Sequence, residues 1–286
     1  MTIENTINDR NKTCDFPGVS FGISEDGLQV ALVCDTAFAM INDTDGRYYL
    51  ASGWRINKPM SKWTRKDFYS YYPQLKNKEA FINAVNEQAD HQRELLMLSR
   101  KKIQMSKDTP WGVSQNAKSY ADGIIFYETA SHGGFHLSET KNTQIPEILR
   151  SDAGWYEEDE AWSIVAIHFP HLFTCYERRH AEKTLKNSWP DAYEKIFGII
   201  LNPGESREKD RKNFETKHLN DWIVISALIS KYKIGFVECI ATKGGKRSGN
   251  NERKSFLVPE SEYKIGRFGF VINEAEHKSY DGPSTF

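Results

Sequence analysis

Apolar positions fall in short runs separated by polar turns, with strand-like runs towards both ends and helical spacing between them. The first run, Gly27 to Ile41, sets Leu28, Val30, Leu32 and Cys34 on one side and Gln29, Ala31 and Val33 on the other. It reads as one strand that is mostly apolar on both faces. Asn42-Asp43-Thr44-Asp45-Gly46 has turn composition, and Arg47 to Ala51 then makes the second arm of a hairpin. Trp63 to Phe68 predicts a short helix ended by Pro73. Asn77 caps a long helix whose apolar stripe starts at Ala80, Phe81, Ala84 and Val85 and resumes at Leu95, Leu96 and Leu98. The cations Arg100, Lys101 and Lys102 suit its C-terminus. Ser106 to Pro110 reads as a linker, which divides the chain into an N-terminal α/β portion (1–108) and a second α+β domain (109–286).

Downstream, Gly123 to Thr129 is a strand, Phe135 to Ser138 is its hairpin partner, and Ser131-His132-Gly133-Gly134 turns between them. Asp152 to Phe169 predicts a helix, from the recurrence of Trp155, Trp162, Val165, Ala166 and Phe169 and the acids Glu157, Glu158, Asp159 and Glu160 in its first turns. Helices follow over Leu172 to Ser188, from Asp191 to Phe197, and from Phe214 to Lys231. Gly235 to Thr242, Lys254 to Val258 and Phe268 to Ile272 supply terminal strands, with a Gly/Ser/Asn-rich turn from Lys243 to Asn251. The class is α+β, with antiparallel hairpins at both ends of a helical middle.

Composition narrows what such a chain can do. Hydrophobic residues at 39% and aromatics at 13% suffice for a real core. A formal net charge of -1 argues against a protein that blankets a nucleic-acid backbone. The N-terminus has no apolar signal segment, residues 1–15 read as a polar, frayed end, and the longest apolar run, Trp222 to Ile229, is too short to span a bilayer. Cys14, Cys34, Cys175 and Cys239 form no CxxC pair. The expectation is a cytoplasmic protein with reduced thiols and no membrane contact.

Candidate chemistry centres on the Ser131-His132-Gly133-Gly134 turn. Two glycines able to adopt φ > 0 would bring consecutive N–H groups to one side, an anion-binding nest of Ser131, Gly133 and Gly134 beside the His132 ring. A carboxylate of Glu157, Glu158 or Asp159 set against His132 would make an acid–base pair. The plain alternatives are a structural turn and a solvated helix N-terminus. His132 and His136 are four apart, but strand and turn flank them, which breaks the helical ligand geometry; no metal site is predicted and no cofactor is indicated. Lys243, Lys246 and Arg247 lie in a hairpin loop and are candidate phosphate contacts, whereas the basic residues of 207–212 are interleaved with acids, as on a solvated helix face. No nucleophile-elbow, P-loop, dinucleotide-binding or zinc-protease motif is present, which weighs against an enzyme.

From Thr109 onward the chain carries the words Thr109-Pro110-Trp111-Gly112, Thr129-Ala130-Ser131-His132-Gly133-Gly134, Gly154-Trp155-Tyr156-Glu157-Glu158-Asp159 with Trp162, Pro190-Asp191-Ala192-Tyr193-Glu194, Asp221 to Ser226, Phe256-Leu257-Val258-Pro259 and Phe268 to Ile272. In these it resembles an uncharacterised domain-of-unknown-function family of plasmid- and phage-borne proteins. The resemblance implies a mobile-element accessory gene, a setting in which such genes counter host restriction and other defences. Three readings follow. One is an anti-restriction-like factor that binds a host defence protein, with the aromatic segment Phe68 to Tyr72 as a contact. Another is a nucleotide- or nucleic-acid-processing enzyme using His132 and the 157–159 carboxylates. The last is a DNA-binding accessory factor for transfer or replication.

Overall fold

The computed structural model describes residues 18–44 and 46–286, so the readings made for residues 1–15, Cys14 and Asp45 lie outside the described residues. The chain divides into two compact units, residues 1–185 and 186–286. The break expected near residue 108 falls within the first of these.

The first unit opens with five antiparallel strands in sequential order: β1 (Val19–Ile23), β2 (Gln29–Val33), β3 (Thr36–Asn42), β4 (Tyr48–Trp54) and β5 (Ser70–Leu75). The apolar run read as one strand is thus a hairpin. Its two-residue turn is Cys34-Asp35, with Cys34 at φ 52°, and Val33 pairs with Thr36. Apolarity on both faces has a direct cause. Ala31, Val33, Phe38, Leu50 and Leu75 pack on Phe81, Val85 and Ala89 of helix α1 (Lys78–Met97). Val30, Ala37, Ala39, Ile41 and Ala51 pack on Trp63 and Phe68 from the other side. Asn77 caps α1 as expected, its side chain accepting the Ala80 N–H at 2.9 Å. Trp63 to Phe68 holds only a single 3-10 turn over Arg65–Asp67, and Pro73 sits inside the edge strand β5 rather than ending a helix.

Strand β6 (Lys101–Ile103) starts a second sheet. A miniature hairpin, β7 (Asp108–Thr109) and β8 (Gly112–Val113), replaces the linker read over Ser106 to Pro110. It is followed by β9 (Asn116–Ala121), β10 (Ile124–Glu128), β11 (Gly133–Leu137), the short helix α2 (Glu139–Asn142) and β12 (Trp155–Glu157). The sheet order is β12-β11-β10-β9-β6, antiparallel throughout. The helix expected over 152–169 is therefore wrong in its first half. Trp155 lies opposite His136 in the sheet, and only α3 (Trp162–His168) is helical. Helix α4 (Cys175–Ser188) follows.

The second unit holds α5 (Pro190–Phe197), α6 (Arg207–Lys217) and a three-stranded antiparallel sheet of β13 (Trp222–Ile229), β14 (Phe236–Lys243) and β15 (Arg253–Pro259). Its core gathers Trp222, Val237, Cys239, Ala241, Phe256, Val258 and Ile272. The helix read over Phe214 to Lys231 ends at Lys217, and the β-branched run after it is strand β13. Phe268 to Ile272 forms bridges, Ile223 with Val271 among them, instead of a full strand. The class is α+β. Among the described residues no helix is long and apolar enough to cross a membrane.

Candidate functional site

Two small turns position the central side chains. Thr109 Oγ1 accepts the Trp111 N–H at 3.1 Å and donates to the Gly112 carbonyl at 2.7 Å, which pins the indole of Trp111. At the tip of the β10–β11 hairpin, the Thr129 N–H and its hydroxyl both donate to the His132 carbonyl at 2.7 Å, and the His132 N–H returns to Thr129 Oγ1 at 3.1 Å. The turn is therefore residues 129–132. Gly133 and Gly134 already belong to β11, and neither has a positive φ.

This corrects the nest expected there, because consecutive N–H groups of a strand point to opposite edges. The structure gives the two glycines another reason: close approach. A Cβ on Gly134 would overlap the Trp111 ring and lie 2.6 Å from the Tyr156 carbonyl oxygen; one on Gly133 would lie 2.9 Å from the Tyr127 carbonyl oxygen and 2.7 Å from Glu158 Oε2. Ser131 is exposed on the turn.

Pairing of β11 with β12 sets His132 beside the acidic run. Its Nδ1 lies 3.2 Å from Glu158 Oε1 and its Nε2 3.8 Å from Glu157 Oε1, so each ring nitrogen faces a carboxylate. Glu157 also accepts the N–H groups of Asp159 and Glu160, the latter at 3.2 Å, which fixes its carboxylate. His132, Glu157 and Asp159 each offer one ligand atom within 4.8 Å of the others, so this trio is a place where a cation could be held. Glu262, Glu276 and His277 form a second such trio in the other unit.

Glu158 belongs also to a cleft of about 420 Å³ on the opposite face of the sheet, with Tyr120, Phe126, Phe135, Trp162, Phe173 and Glu177 as its other walls. Burial pushes the Tyr120 hydroxyl up to about 12, so it stays a neutral donor. Arg100 holds this wall together. Its guanidinium grips Glu177 through two bonds of 2.8 and 2.5 Å, donates twice to the Leu172 carbonyl, and lies 4.2 Å over the Tyr120 ring. Burial alone would raise the Glu177 carboxyl, but Arg100 and the Thr174 N–H outweigh it and hold the group below its ordinary value.

The Trp111 face of the sheet carries a different set. Trp111 meets His132 and Trp155 edge-on at 5.6 and 5.7 Å, and the His136 ring packs on Trp155 at 4.5 Å. Lys107 Nζ sits 5.2 Å over the Trp155 ring and 3.4 Å from the His136 nitrogens. Burial, with Lys107 beside it, lowers the pKa of His136.

The structure thus brings His132, Glu157, Glu158 and Asp159 together. Lys243, Lys246 and Arg247 belong to the second unit, where Lys243 stacks 4.4 Å over Trp222 and reaches towards Glu274 at 4.0 Å, while Lys246 and Arg247 are exposed in the β14–β15 loop. Trp111, Arg100 and Tyr120 were not singled out as site residues. The word Thr109-Pro110-Trp111-Gly112 is the signal that marks Trp111; nothing local marks Arg100.

Residues 104–219 match the model of a family described as a domain of unknown function (DUF7007). The matched stretch contains Trp111, His132 and the 157–159 carboxylates, and it stops before β13. No curated protein and no solved structure matches the chain.

Proposed function

We propose that the protein is an acid–base enzyme of nucleotide or nucleic-acid chemistry, working at His132 with Glu157, Glu158 and Asp159. The observation that carries this reading is the meeting of three separate sequence words at one place: Trp111, the His132 turn, and the acidic run after Trp155. His132 Nδ1 lies 3.2 Å from Glu158 Oε1, and a proton on Nδ1 held towards that carboxylate would leave the lone pair on Nε2. Nε2 then takes a proton from a water or hydroxyl, and Glu157 steadies the imidazolium that results. The aromatic walls beside Glu158 suit a flat ring such as a nucleobase, and Glu158 can accept from its amino group.

The test is a panel of nucleosides and nucleotides, scored by calorimetric binding and by product formation. His132→Ala is expected to cut turnover by at least about 10²-fold, and to shift the melting temperature by only a few degrees because the ring is partly exposed. Full activity in His132→Ala, or collapse of the fold, would sink the reading.

A second reading retains the mobile-element setting: a cytoplasmic counter-defence factor that binds a host defence protein. Exposed aromatic side chains on the first sheet support it, Tyr69 at 69% and Trp54 at 56%. Within the segment Phe68 to Tyr72, Phe68 is buried while Tyr69 and Tyr71 are exposed, and the Tyr72 side chain lies outside the described residues. Affinity capture from bacterial lysate is expected to retain a stoichiometric partner that Tyr69→Ala with Trp54→Ala releases. Identical capture by the double variant would remove this reading.

A further inference from the structure

We infer that the second unit binds single-stranded nucleic acid in the groove beside the open half of β13. The first half of that strand's outer edge is closed, because the Val224 N–H donates to the Phe270 carbonyl at 2.9 Å and the Ile272 N–H to the Trp222 carbonyl at 2.8 Å. Past Val224 the register against β14 shifts at a bulge, and no strand lies outside Ile225 to Ile229 among the described residues. A groove of about 550 Å³ opens there. Its floor is Ile225 to Ala227, and half-buried aromatic faces come from Phe214, Tyr263, Phe268 and Phe270.

The rim carries three guanidinium groups, Arg211, Arg247 and Arg267, and one carboxylate, Glu215. Arg211 is paired with Glu208 and Glu215 on its own helix, and Arg267 with Asp210 at 3.3 Å. Arg247 is exposed and has no carboxylate partner among the described residues. In residues 186–286 lysine and arginine outnumber aspartate and glutamate, the reverse of the whole chain.

Guanidinium groups around aromatic faces are what a stacked, unpaired strand needs: phosphates on the rim and bases on the rings. An acidic peptide would use the same charge but would have to add a strand to β13, and the bulge at Ile225 blunts that edge. A rigid duplex could not bring base faces onto the rings.

The full chain is tested by filter retention of a radiolabelled oligothymidylate of about 12 nucleotides. Three phosphate contacts predict that the logarithm of affinity falls with that of salt at a slope of about −2, since each contact contributes about 0.7 on single strands. Arg247→Glu is expected to weaken retention by about tenfold or more and to make the slope shallower by about 0.7. Should that variant not fold, Arg247→Gln is expected to show the same change to a smaller extent. No retention at about 50 mM salt would overturn the inference. So would unchanged retention by both variants, tighter binding of a duplex of equal length, or full displacement by an acidic peptide of equal charge. His132→Ala is expected to leave retention intact, so this inference and the proposed activity stand or fall separately.

Discussion

Replacing Arg100 with alanine is expected to cost residues 1–185 about 3–5 kcal/mol of stability, because it strands a largely buried carboxylate rather than merely deleting a contact. The two side chains of the pair are only 10% and 20% exposed, and the same guanidinium also satisfies the Leu172 carbonyl and covers Tyr120. At roughly 2–4 °C for each kcal/mol in a unit of this size, the melting temperature should fall by about 10 °C. The cleft bordered by Tyr120, Phe173 and Glu177 should be lost with it. Arg100→Lys keeps the charge but not the fork, and should fall between the two.

A pH series separates this electrostatic cause from lost packing. In the intact protein the Glu177 carboxyl sits below its ordinary value of 4.5, so its contribution is present above that pH and fades as pH falls through the folded value. In Arg100→Ala burial is opposed only by the Thr174 N–H and His91, so the same carboxyl rises relative to the intact protein and the folded variant takes up a proton more readily than the folded parent. The melting temperatures of the two proteins should therefore converge between pH 7 and about pH 4. A gap that stays constant across that range would show that packing alone is responsible.

Gly134→Ala is the second large effect expected, about 3 kcal/mol of destabilisation. The new methyl would occupy space taken by the Trp111 ring and by the Tyr156 carbonyl oxygen, and the latter cannot move without breaking the β11–β12 pairing. Trp111→Ala in the same chain should therefore rescue only part of the loss. A thermal melt showing Gly134→Ala as stable as the parent would refute the close-approach account and reopen the case for a flexible turn. If the fold survives with Trp111 pushed aside, the pairing of His132 with Glu158 should be disturbed as well. Structure and chemistry meet at this glycine.

Some of this was legible in the residues alone. The Asn77 cap and the stripe at Phe81 and Val85 mark α1 by its helical period, and the short apolar run from Gly123, broken by the polar turn at 129–132, marks the β10–β11 hairpin. The β2–β3 hairpin stayed hidden because Cys34-Asp35 contains neither Gly nor Pro, and because packing on both faces erases the alternation that locates a strand's end. Trp155, Trp162 and Phe169 fall near helical spacing by coincidence: the first is held by β11 and the others by α3 and its C-terminus. The run at 222–229 followed directly on an amphipathic helix, and only its β-branched content marked the change. The carboxylates near His132 could be nominated from composition. Which nitrogen each one faces depends on β11–β12 register, a long-range fact with no local signature. Arg100 and Glu177, 77 residues apart, are further from local inference still.

Trp111 standing edge-on to His132 also gives the site an optical reporter of its own. An imidazolium quenches the emission of a neighbouring indole far better than a neutral imidazole does. Proton uptake at His132 should therefore dim Trp111 before any substrate is known, and the difference between the parent and Trp111→Phe isolates that signal from the other six tryptophans. Trp155, at right angles to Trp111, adds a coupled near-ultraviolet transition that exists only while β11 and β12 are paired. The protonation state of the centre and the integrity of the strands that build it can be followed by light, in the same sample.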